Sequence, residues 1–98
     1  MSIRPEVAAL VAAGPLPSED DATVEQLERI ERLLDSIAEP ISDDEALAML
    51  DVFGPDGCYG MAWTVLHLIE KAPGVYTNSY STNAQNEWVQ LLEQRRAP

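Results

Sequence analysis

The feature that most constrains this chain is its one long apolar run, Cys58 to Ile69, which reads CYGMAWTVLHLI. A bilayer span needs about 20 apolar residues, so a run of roughly a dozen predicts burial inside a folded domain instead. The surroundings are acidic: the chain carries 17 Asp and Glu against 6 Lys and Arg, a formal net charge of -11 over 98 residues. The pattern predicts a single all-α domain, 1–98, a compact bundle of about five short helices. Its centre is a buried helix over about 57–72, part of an antiparallel helical hairpin. A chain of this size can bury roughly two thirds of its unfolded surface, enough for one core.

Punctuation residues set the other elements. Pro5 suits a first helical turn, Val7, Leu10 and Val11 share one side, and Gly14 stops the helix. Pro15, Pro17, Ser18, Glu19, Asp20 and Asp21 then read as an exposed acidic linker over about 15–22. Thr23 with Gln26 has the form of a capping box, and Val24, Leu27, Ile30, Leu34 and Ile37 recur at helical intervals until Pro40. On the outer side, Glu25 with Arg29 and Glu28 with Arg32 are spaced for i to i+4 pairing.

Ser42 and Glu45 repeat the capping-box signature, with Asp43 and Asp44 beside the positive end of the helix dipole. Ala46, Leu47, Met49, Leu50 and Phe53 are its expected inward face, and Gly54-Pro55 its stop. Asp56 is placed to cap the central helix, in which Gly60 is expected to allow close approach of a neighbour. After Pro73 and Gly74 comes a polar loop over about 73–83 with two tyrosines. A last helix is expected over 84–96, capped by Thr82 or Asn83, with Trp88, Leu91 and Leu92 inward and Arg95 and Arg96 at its C-terminal end. Trp63 and Trp88 are both assigned to the core.

No catalytic or cofactor-binding constellation emerges. His67 has Glu70 at i+3, but zinc takes three or four protein ligands, so no metal is expected. Cys58 lies nine residues from the only histidine on one predicted helix, about 13 Å of rise, which predicts a buried hydrophobe and not a nucleophile. GPDG at 54–57 lacks the Lys and Ser/Thr of a phosphate loop, and the acidic runs lack EF-hand spacing. The expectation is a protein that is not an enzyme.

Two surfaces are candidates for partner binding. Glu31, Asp35 and Glu39 recur every four residues and continue into Asp43 and Asp44, either a solvated face or a docking surface for a basic partner. Tyr76 and Tyr80 sit among Thr, Asn and Ser in the late loop, a composition that suits recognition and equally suits rings pinning a connection. The charge balance opposes direct contact with nucleic acid or anionic membrane. A lone cysteine and no signal-peptide pattern in Met1 to Gly14 make the cytoplasm the expected location.

The stretch Phe53 to Gly74, FGPDGCYGMAWTVLHLIEKAPG, resembles a segment of small uncharacterised bacterial all-helical proteins. In size, charge and helicity the chain is also similar to acidic immunity proteins of toxin systems. That class-level resemblance implies an immunity protein or inhibitor that neutralises a basic bacterial protein, a toxin or a nucleic-acid-binding protein, by occluding its functional surface. It carries no site residues over. The alternatives are a small adaptor or homo-oligomeric structural subunit, and a nucleic-acid mimic.

Overall fold

The computed structural model describes residues 3–75 and 82–96. Among them are five α-helices and no strand: α1 (Pro5–Ala12), α2 (Val24–Asp35), α3 (Asp43–Met49), α4 (Met61–Glu70) and α5 (Glu87–Arg96). Short 3-10 turns at Leu50–Val52 and Cys58–Gly60 flank the connection between α3 and α4. The radius of gyration, 12.6 Å, matches the roughly 13 Å of a compact 100-residue domain.

Local chemistry starts α2 and α3 where the capping boxes are. Thr23 Oγ1 accepts from Gln26 N at 3.1 Å and Gln26 Oε1 from Thr23 N at 2.9 Å. Ser42 and Glu45 repeat the exchange at 3.1 and 2.8 Å. Each pair satisfies two backbone donors that a helix start leaves open.

The core is one cluster. Val7 and Leu10 of α1, Ile30 and Leu34 of α2, Ala46 and Met49 of α3, Val65, Leu66 and Ile69 of α4, and Val89 and Leu92 of α5 are all buried. Helix α4 sits at its middle, packing on α2, α3 and α5. Its Ala62, Val65, Leu66 and Ile69 are fully buried, yet the opposite side is open, with Trp63 at 42% exposure and His67 outward. The central helix is therefore shorter than the apolar run and amphipathic. Trp63 is not a core residue, and Trp88 is only half-buried, stacked on Phe53 with centroids 6.3 Å apart.

Several smaller expectations are also corrected. Val24 is 70% exposed and Leu47 37% exposed, so neither serves the core. Val24 is the first residue of α2 and Leu47 lies on the outer side of the seven-residue α3, positions where the apolar period runs beyond the neighbours available to cover it. Arg29 and Arg32 form no ion pair among the described residues, since exposed i to i+4 pairs gain too little to hold two long side chains. Leu16, in the acidic linker, is 2% exposed and its N–H donates to Val52 O at 2.8 Å; Asp20 and Asp21 remain exposed. Helix α5 starts later than expected because Asn86 caps it, its Oδ1 accepting from Trp88 N at 2.8 Å.

Between α3 and α4 the chain turns sharply. Cys58, Tyr59 and Gly60 have φ of 45°, 52° and 91°, all in the left-handed region. A helix cannot continue through such residues, so α4 begins only at Met61. No atom lies within 4 Å of a Cβ built on Gly60, so the expected close approach is absent and the glycine is there for its backbone angle. Gly60→Ala is expected to cost about 1 kcal/mol, lowering Tm by about 4–8 °C in a circular-dichroism melt. An unchanged melt would remove this conformational role.

Candidate functional site

The five carboxylates singled out in the sequence do not act as one stripe. Glu39 Oε2 pairs with Lys71 Nζ at 2.7 Å, and Asp43 Oδ1 accepts from Gly74 N at 2.7 Å. Both residues thereby tie the α2–α3 region to the chain leaving α4. Asp43 and Asp44 are half-buried in the first turn of α3. Glu31 and Asp35 are different: they are exposed on α2, and their side chains have no hydrogen-bond or ion-pair partner among the described residues. Tyr76 and Tyr80 lie outside the described residues.

Glu31 and Asp35 form one wall of an open cleft of about 310 Å³ between α2 and the start of α4. Leu34, Met61 and Thr64 line it as well, and Tyr59 and Gly60 close it. Tyr59, missed as a site residue, is 62% exposed and held by Glu19: its N–H donates to Glu19 Oε2 at 2.9 Å and its hydroxyl to Glu19 O at 3.0 Å. Asp56 fixes the rest of the turn, accepting from Glu19 N and Cys58 N, each at 3.0 Å. The sequence signal was present in Glu19 and Asp56, but only the fold joins residues some forty positions apart.

A second polar group lies at the other end of α4. Arg95 grips Glu70 through Nε at 2.6 Å and Nη2 at 3.1 Å, and its guanidinium lies 5.9 Å from the Trp63 ring centroid. Arg95, then His67, hold the Glu70 carboxyl below the usual carboxylate range. His67 Nδ1 is 3.1 Å from Glu70 Oε1, and its ring stacks on Trp63. This ordered cluster joins α4 to α5. His67 is an exposed surface residue.

Cys58 is fully buried. Burial, followed by the charges of Asp56 and Glu19, pushes its thiol up, and a protonated buried thiol is a poor nucleophile. Among the described residues no group of three or more His, Cys, Asp or Glu side chains could hold a metal ion. No helix of the described residues is long and apolar enough to cross a membrane. Comparison of the chain with protein-family models, with curated proteins and with solved structures returns no match.

Proposed function

We propose that this chain is a non-catalytic acidic protein-binding module that neutralises a basic bacterial protein by covering its functional surface, as an immunity protein or inhibitor does. The observation that carries this reading is the disposition of charge. Of the six cationic side chains, Arg4, Lys71, Arg95 and Arg96 lie against the chain's own carboxylates, whereas Arg29 and Arg32 on α2 form no ion pair among the described residues; on the same helix Glu31 and Asp35 stand exposed with side chains likewise unpaired among them. At net charge -11 this leaves a strongly negative surface beside an open cleft. Such a field accelerates encounter with a cationic protein and repels nucleic acid and anionic lipid.

The test is capture of the basic partner on the immobilised protein, followed by association kinetics at low and moderate salt. The double variant Glu31→Lys/Asp35→Lys is expected to slow association on the order of tenfold at low salt, with a smaller effect at higher salt. Its thermal unfolding should stay near that of the parent, because both side chains are exposed and form no ion pair among the described residues. An unchanged on-rate at low salt overturns the reading, as does capture of no cationic protein.

A further inference from the structure

The geometry points to a more specific recognition event, resting on the reading just given: the cleft between α2 and the 58–60 turn seats a single arginine side chain of the basic partner, with Tyr59 as its aromatic platform. Three observations converge on this occupant. The cleft, about 310 Å³, lies at the lower limit of ligand-pocket volumes and suits one long side chain better than a folded element. Its lining divides into Leu34 and Met61, which match an aliphatic stem, and Glu31 and Asp35, which match a cationic head. Tyr59 adds a ring that stands 62% exposed with its hydroxyl already donated to Glu19 O, so the ring is what it offers to a partner.

Arginine fits this lining better than lysine. Its planar guanidinium stacks on an aromatic face and can donate to two carboxylates at once, whereas an ammonium is a compact, strongly hydrated charge. Charge complementarity disfavours an anionic occupant, because the two acidic side chains lining the cleft, Glu31 and Asp35, face no cationic side chain in that lining, and a third carboxylate, Glu19, is bonded to Tyr59 N. The backbone at Tyr59 also bears on the assignment. With φ 52° and ψ 36°, Tyr59 adopts a conformation that glycine accepts more readily, yet a large exposed aromatic stands there. The left-handed backbone favours glycine here and the hydroxyl bond to Glu19 O favours tyrosine, but that bond leaves the ring itself exposed, and a recognition role accounts for it.

The experiment uses the full chain, isotope-labelled for NMR, and the capped tripeptide acetyl-Gly-Arg-Gly-amide as probe. The counterparts with lysine and with citrulline, which keeps the arginine shape without its charge, serve as comparisons. Expected are shifts concentrated at Leu34, Tyr59, Met61 and Thr64, with the arginine peptide binding at least tenfold more tightly than the citrulline one. Tyr59→Gly relieves the left-handed backbone but loses the hydroxyl bond to Glu19 O, so Tm is expected to stay near the parent value while arginine binding weakens at least tenfold, a combination that a purely structural tyrosine would not give. Shifts spread evenly over the acidic surface overturn the proposal, as does lysine binding as tightly as arginine. Self-association that Tyr59→Gly abolishes also overturns it, assigning the cleft to a second copy of the chain.

The captured partner separates this proposal from the broader one. If Glu31→Lys/Asp35→Lys slows its association and Tyr59→Gly leaves its affinity unchanged, the arginine seat is wrong and the binding-module reading stands. If neither variant changes association, the broader reading falls too.

Discussion

Gly54→Ala is expected to be the most damaging small substitution in the chain, costing about 3 kcal/mol and lowering Tm by about 12–24 °C. A Cβ on Gly54 would collide with the carbonyl oxygen of Leu16 and lie 2.9 Å from its carbonyl carbon. The obstacle is backbone, and it cannot step aside cheaply. Leu16 is buried and its N–H is bonded to Val52 O, while Gly54 O accepts from Asn86 Nδ2 at 2.8 Å. Three segments cross at this point, so displacing one disturbs all of them. Gly57→Ala is the matched control. Gly57 has φ -74°, and a Cβ there meets the Trp88 ring edge at 3.5 Å and Glu19 Oε2 at 3.9 Å, both ordinary contacts. That variant should be neutral or stabilised by a few tenths of a kcal/mol up to about 1. Urea unfolding of the two variants decides the matter: equal midpoints would refute the crossing as the reason for Gly54.

The second large effect concerns Glu45, the one buried charged residue among the described residues, with its side chain 3% exposed. Arg4 reaches it with Nε at 3.0 Å and Nη2 at 3.2 Å, and the backbone N–H groups of Arg4 and Ser42 donate to it at 3.1 and 2.8 Å. One carboxylate thus caps α3 and anchors the start of α1. The Arg4 side chain, with backbone donors adding to it, holds the Glu45 carboxyl well below its ordinary value, to about 2. Glu45→Ala leaves buried donors unsatisfied and breaks the ion pair, for an expected loss of about 3 kcal/mol.

The pH dependence has a definite sign. A carboxyl with a folded pKa of about 2 and an unfolded pKa near 4.5 contributes stability that is fully present above pH 4.5 and fades as pH falls toward 2. Glu45→Gln keeps the carbonyl acceptor and removes the titration. The stability gap between parent and Glu45→Gln should therefore be constant above about pH 5 and close as pH drops from 4.5 to 2. Denaturant unfolding across that range measures it. A gap independent of pH would show that the charge on Glu45 contributes nothing to the fold.

These two residues illustrate how legibility divides. Glu45 was readable as the second half of a capping box, because that signature needs only a hydroxyl and a carboxylate three positions apart. Its partner Arg4, forty-one positions away, was not, since nothing local selects one cation among six. Gly54 was readable as a helix stop, but its close approach to Leu16 belongs to two segments meeting in space. The same reason governs the candidate site. Glu31 and Asp35 stood out by helical spacing, while Tyr59 was hidden inside an apolar run that reads as a continuous helix. Two of the three left-handed residues that break that run are held by carboxylates, Cys58 N–H by Asp56 two positions away and Tyr59 N–H by Glu19 forty positions away, and Asp56 in turn accepts from Glu19 N.

By itself the sequence determined the all-helical class, the starts of α1, α2 and α3, most of the core and the negative field, because caps, periodicity and charge act over a few residues or are simple sums. Only the tertiary structure decided where α4 begins, which side of it stays open, and which carboxylates remain unpaired beside the cleft. Those outcomes depend on which distant groups satisfy one another, and a short apolar run is compatible with several such arrangements until the rest of the chain packs against it.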